Sequence, residues 1–323
     1  FPETVEHDLD FIASFSFIQI DPEDPTPQVI RADRLFKEEG FIPIANREEL
    51  WLIWQSFPEG ELFGEGTKWE GQYVTSGLTG KYVLVKDIDL GYVTWFMIGS
   101  PVYPFVGTFD GNDYKIMGLQ TSIQGYKKYF RLFGYVDGGL IINVVISDPI
   151  IDGYDYTGAL AGYIKDSGIS NIKIIIIDDH DSVVLGSYFV GGIVGYSENS
   201  IIENVYNEVS VGGASSTGGI VGHNGKEYGD TSEIIDAVNV GDVFGSSGVG
   251  GITGVNYGVI MRALNSGDIT GEAFVGGSVG YSNGRLWLDR NSVEQAVNTG
   301  YVKGVNFVGG IGGFIEFDKM SDI

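Results

Sequence analysis

Residues 191–222 read GGIVGYSENSIIENVYNEVSVGGASSTGGIVG, opening and closing on the same five-residue block. The block has the form G-x-h-x-G, with h aliphatic in all but one copy. It recurs at residues 158–162, 191–195, 218–222, 250–254, 276–280 and 309–313, and residues 132–134 are a degenerate forerunner. A second block, I-x-polar-h-x-N, lies between successive copies. It ends on Asn207, Asn239, Asn265 and Asn298, while Ile146 and Ile174 take the asparagine slot in two earlier copies. From each of those four asparagines to the next leading glycine the distance is always eleven residues. The stretch from a closing glycine to the next aliphatic varies between 6 and 13, so the full repeat runs 26 to 33 residues.

A repeat of this length, without helical periodicity, is a unit built of strands. Its segments are short, β-branched and bounded by Gly, Asn, Ser and Asp, which are strand and turn signals. Stacking such units pairs each strand with its equivalent in the next coil, about 4.8 Å away. The sequence therefore predicts an all-β, parallel β-solenoid with three strands per coil, right-handed by the crossover rule. Leu160, Ile193, Ile220, Ile252, Ser278 and Ile311 fall in one column, read as an inward stack. Gly191, Gly195, Gly218, Gly222, Gly250, Gly254, Gly276 and Gly280 flank it at tight corners, where a positive φ or a close backbone approach calls for glycine. The asparagines form a second column, whose stacked amides can hydrogen-bond along the axis. An antiparallel sandwich leaves the constant spacings unexplained, and a propeller blade needs about 40 residues.

Composition agrees. Fifty of 323 residues are glycine and only nine are proline, without the G-X-Y period of collagen. Cysteine is absent, so there is no disulfide framework and no thiolate metal site. The formal charge of −24 repels phosphate backbones and argues against a nucleic-acid partner. No apolar run approaches a membrane span. The chain opens on Phe1, the mark of a processed or trimmed chain, with any signal peptide or lipid anchor upstream.

The repeats occupy residues 131–323. Residues 41–130 read as a cap and first coils: Asn46 and Glu49 form a helix start, followed by apolar Leu50, Trp51, Ile53, Trp54 and Phe57, with a stop before Pro58. An amphipathic helix at this end would cover a first coil that has no neighbour below it. The segment Asp110-Gly-Asn-Asp113 reads as a turn between strands. Residues 1–40 read as an extension, with a strand-like 15–20 and a proline-rich linker at 21–27.

The order KYVLVKDIDL, WFMIG, FVGTFDGNDYKIMGL and LFG, then VGGIVGYSEN, NVYN, AVNVGDVFG and ALNSGDITG, resembles the GLUG-motif repeat family over residues 40–315. Those repeats occur in bacterial surface proteins, notably adhesin-like and lipoprotein-like proteins of gut Bacteroidetes, and in accessory regions of some secreted peptidases. The resemblance implies a β-solenoid, an extracellular or outer-surface location and adhesion. Ile146, Ile174 and Ser278 depart from the family pattern.

Candidate chemistry is sparse. The glycine blocks recur in every coil with no helix after them, so they are corners and not a dinucleotide-binding turn. No cofactor is indicated. Three histidines, no G-x-S-x-G and no H-E-x-x-H leave triad and zinc chemistry unsupported. A weak cation candidate is Asp178, Asp179 and Asp181, beside His180 and after the aliphatic run 174–177. That cluster also reads as charges that break an aggregation-prone run. Asp242 and Asp268 stand at equivalent places in adjacent coils and could form a two-carboxylate glycosidase pair, or merely be turn residues. Two insertions share the variable corner, one with Lys226 and Tyr228, the other with Arg285 and Trp287. Insertions in solenoids cluster on one face, often the binding face, and Tyr228 and Trp287 could stack on a sugar or anchor a protein. The expectation is a non-enzymatic, adhesin-like solenoid presenting its side wall to a glycan or a surface protein. The alternatives are a carbohydrate-processing β-helix and a structural spacer.

Overall fold

The computed structural model describes residues 26–54, 62–63, 72–73, 77–121, 131–178, 181–227, 229–283 and 293–315. They wind into a parallel β-solenoid with three sheets along its length. The first sheet stacks Leu140–Ser147, Gly168–Ile175, Ile201–Asn207, Glu233–Asn239, Val259–Asn265 and Val293–Asn298. The second includes Ser210–Gly218 and Val243–Gly250, and the third Ala161–Lys165, Val194–Glu198, Val221–Asn224 and Thr253–Asn256. Among the described residues, the one antiparallel pair is Leu62–Phe63 with Gln72–Tyr73.

The register places equivalent residues of successive repeats side by side. Ile146, Ile174, Asn207, Asn239, Asn265 and Asn298 form a single column. Along its amide half, Asn207 donates to Asn239 at 2.8 Å, Asn239 to Asn265 at 2.7 Å and Asn265 to Asn298 at 2.8 Å. Each amide also donates to a carbonyl two residues on, as Asn239 does to Gly241 at 2.7 Å. Leu160, Ile193, Ile220, Ile252 and Ser278 are fully buried, whereas Ile311 of the last described coil is 37% exposed. Among the described residues, the Ser278 hydroxyl has no hydrogen-bond partner in that apolar stack.

The block glycines owe their identity to close approach and not to a left-handed backbone, for none of them has positive φ. A Cβ on Gly219 would lie 2.3 Å from both the Gly251 carbonyl oxygen and the Asn239 amide carbon. Left-handed backbone falls instead on the polar slot of the second block, at Asn143, Asn171, Asn204, Asp236 and Arg262, with φ of 50 to 56°. Asparagine and aspartate tolerate that region best. Their side chains tie neighbouring coils together on the outside: Asn171 donates to Asn143 at 2.9 Å, Asn204 to Asn171, and Arg262 grips Asp236 at 2.6 and 2.8 Å.

Among the described residues, two α-helices lie at the N-terminal end. Residues 26–39, which the sequence assigned to an extension and linker, form α1 (Thr26–Glu39). Pro27 sits in the first turn, where its missing N–H costs nothing, and Ala32 and Leu35 face the body. Arg31 of α1 reaches the buried carboxylate of Asp110 and donates to Asn112 at 3.0 Å. The turn at 110–113 is therefore also an anchor for the helix. In α2 (Arg47–Leu52) the Asn46 side chain accepts from the Glu49 N–H at 2.8 Å, and the Glu49 carboxylate accepts from Ala45 N–H at 2.7 Å. Leu50 and Ile53 enter the core, but Trp51 points outward. Among the described residues, no helix is long and apolar enough to cross a membrane.

Candidate binding site

Most of the glycine blocks have a ring beside them, and four of the six, at residues 158–162, 191–195, 276–280 and 309–313, have one on each side. On the outer face of the third sheet, the residue after the closing glycine gives the column Tyr135, Tyr163, Tyr196, His223, Val255, Tyr281 and Phe314. The rings stack nearly parallel: Tyr135 on Tyr163 at 4.7 Å, Tyr163 on Tyr196 at 4.8 Å and Tyr196 on His223 at 4.6 Å between centroids. At Val255 the rung is missing, and Tyr257 from two residues on lies between His223 (5.5 Å) and Tyr281 (6.3 Å). A second column stands two residues before each block: Tyr156, Phe189, Ser216, Gly248, Phe274 and Phe307, all with positive φ. Tyr156 stacks on Phe189 at 5.0 Å and Phe274 on Phe307 at 4.9 Å. The two columns meet edge to face, as Phe189 does with Tyr196 at 5.6 Å.

A left-handed backbone at a bulky residue costs about 1–3 kcal/mol. Gly248 fills the same position without that cost, yet four of the six residues in this column are aromatic. Stacked edge-to-face pairs return about 0.5–1.5 kcal/mol each, so packing offsets part of the strain. What results is a half-exposed aromatic strip along the corner between the second and third sheets.

Charged groups border the strip. The Tyr163 hydroxyl donates to Glu198 at 2.5 Å, and Lys226 donates to the other oxygen of Glu198 at 2.7 Å. Lys165 lies 3.3 Å from both Asp137 and Asp166. Burial, then the bond to Glu198, pushes the Tyr163 phenol well above its usual range. Burial alone would raise the Glu198 carboxyl, but hydrogen bonds from Lys226 and Tyr163 outweigh it and hold the carboxyl below the ordinary value.

His223 is the titratable rung of the ladder. Burial lowers its imidazole to about 4 from 6.5, against a weaker opposing hydrogen bond with the Gly225 backbone. Among the described residues its Nδ1 has no hydrogen-bond partner. Below pH 6.5 the unfolded chain takes up a proton that the folded chain refuses until about pH 4. Stability from this group is thus complete above 6.5 and lost as pH falls toward 4, by about 3 kcal/mol in all. His223→Tyr keeps the ring and removes the titration. Urea unfolding from pH 7 to 4.5 should show the stability difference between variant and wild type growing in the variant's favour as pH drops; a constant difference would contradict this account.

Of the residues singled out in the sequence, Lys226 lies at the edge of the strip, on Glu198. Tyr228, Arg285 and Trp287 lie outside the described residues, as do Asp179 and His180. The backbone N–H of Asp178 donates to Asp148 at 3.2 Å, and both Asp178 and Asp181 are exposed. Among the described residues, no group of three or more His, Asp or Glu is arranged to hold a metal ion. Asp242 and Asp268 each accept a backbone N–H from the following coil, from Asp268 and Tyr301 at 2.9 Å. They act as turn caps. Sequence reading overlooked the aromatic columns, although the signal was present: a ring follows the closing glycine in GYI, GYS, GHN, GYS and GFI.

No family model and no curated protein matches the chain. Among solved structures, an IgA1 protease superposes with a TM-score of 0.57 and 16% identity over 87% of this chain. The match takes in 21% of that protease chain, so the present chain spans about a fifth of its length. A candidate immunoglobulin A1 protease from Bacteroides ovatus aligns over 85% of both chains, with 18% identity and a TM-score of 0.49. At 16% identity the likeness to the first of these is one of fold.

Proposed function

We propose that this chain is a non-catalytic, adhesin-like solenoid of the GLUG-repeat type, exported or displayed at a cell surface, and that it binds a glycan or surface protein through its side wall. The observation that carries the reading is the half-exposed aromatic strip bordered by Glu198 and Lys226. A surface of rings with charges at its rim is the composition of recognition sites. In one of its two columns, four of six positions hold a ring on a strained backbone, which favours a use for the side chains over a mere turn. It suits an extended partner that lies along the axis. The turn-capping bonds of Asp242 and Asp268 support a non-enzymatic reading.

Binding of the full chain to an array of microbial and mammalian glycans and mucin-type glycoproteins tests this. Lys226→Glu places a second anion against Glu198 at an exposed site, so the fold should survive. A bound partner should then be held about tenfold more weakly. Binding that is indifferent to Lys226→Glu and to Tyr163→Phe alike, or no binding to any surface, would overturn the reading.

A further inference from the structure

A second recess lies well apart in sequence from the strip, at the helical end. It encloses about 250 Å³ between α2 and the segment 93–96, lined by Arg47, Glu48, Trp51, Val93, Thr94 and Phe96. Trp51 and Phe96 lie 6.4 Å apart with their rings 28° from parallel. They remain 42% and 58% exposed, while Trp95, which also lines the recess, is buried and donates its indole N–H to the Leu132 carbonyl at 3.4 Å. The recess therefore joins two partly exposed rings to a fixed, buried one. At its rim the Arg47 guanidinium bonds Glu48 at 3.1 Å and touches the Leu90 carbonyl at 3.5 Å, so most of its five donors stay available.

We infer that this recess is a binding site for a single neutral pyranose ring. Four observations select that chemistry. The volume falls below the range of about 300–1,000 Å³ typical of drug-sized ligands, so it suits one ring. The exposed faces of Trp51 and Phe96 call for a ligand with an apolar face. Guanidinium, carboxylate and the Thr94 hydroxyl call for neighbouring hydroxyls on its edge, which can both donate and accept. A hydrocarbon side chain would leave those groups unused. The net charge of −24 disfavours an acidic sugar, and Arg47 in the wall disfavours a cation. The site does not depend on the side-wall reading, because it uses none of the residues of the strip.

Saturation-transfer NMR of the full chain with methyl glycosides of glucose, galactose, mannose and N-acetylglucosamine tests the inference. At least one should bind saturably. Trp51→Ala and Phe96→Ala should each weaken it about tenfold, the strength of a lost ring contact, and Arg47→Ala should weaken it as well. Lys226→Glu should leave it unchanged. Phe96 is exposed, so Phe96→Ala should keep the wild-type circular dichroism and melting temperature even if Trp51→Ala disturbs the cap. Absence of saturable binding across the panel, or binding untouched by Phe96→Ala, would overturn the proposal.

Discussion

Gly219→Ala is expected to destabilise the chain by about 3 kcal/mol, and the same change at Gly310 to cost almost nothing. The two glycines hold the same place in their blocks. At Gly219 a methyl group would sit 2.3 Å from the Gly251 carbonyl and 2.3 Å from the Asn239 amide carbon, whereas at Gly310 nothing among the described residues lies within 4 Å. Neither obstacle can yield. The carbonyl belongs to the backbone of the next coil, and Asn239 is pinned by its ladder bonds. The coils would have to part locally, and in a solenoid each coil is stabilised chiefly by its neighbours. For a chain of this size the loss amounts to a fall of about 4 °C in melting temperature. Thermal unfolding followed by far-ultraviolet circular dichroism reads both variants. Equal shifts at the two positions would mean that close approach is not what glycine serves here.

The strand architecture, the inward aliphatic column and the amide column were all legible, because each is a spacing and the spacings of a solenoid are its register. The reason for the glycines was half legible. The sequence offered positive φ or close approach, and the deciding fact, a carbonyl from the following coil, is a contact between repeats 26 to 33 residues apart. A pattern that could have settled it stood in the sequence. The block's second residue is glycine in the four coils whose ladder slot holds asparagine, at Gly192, Gly219, Gly251 and Gly277, and alanine at Ala159, where the slot holds Ile174. Helix α1 was missed because proline was read as a linker signal when it also opens helices. The aromatic strip was missed because single rings beside glycine look like local packing, and only stacking across coils makes them a surface. The cap recess was partly concealed for the same reason. Trp51 was read as part of an apolar helix face, and its exposure beside Phe96 follows from a meeting of segments more than forty residues apart.

The Asn column yields the second large effect, and its size should depend on position along the ladder. Asn239→Ile lies mid-run. It removes the acceptor of Asn207, the donor to Asn265 and the donor to the Gly241 carbonyl, all in a fully buried setting. Each group left unsatisfied costs about 1–3 kcal/mol, so with some compensation from the apolar side chain a loss of about 4 kcal/mol is expected. Asn207→Ile lies at the boundary, where the column changes from Ile174 to amides. There the new side chain would meet an isoleucine on one side; along the ladder only the Asn239 oxygen would lose a donor, and within the coil the Val209 carbonyl and N–H would lose their partner. It should cost less, because one ladder link is cut instead of two and the Ile174 side offers an apolar contact, although Gly192 fits closely against the residue at 207. Denaturant midpoints of the two variants give the comparison. Were the boundary change the more costly, the ladder would be a set of independent caps, each bonding its own coil. The opposite order would mean that the amides act as one chain whose interior links cannot be cut without orphaning both neighbours. The geometry favours the chain, since Asn207, Asn239 and Asn265 each pass one N–H forward to the next coil while using the other on their own.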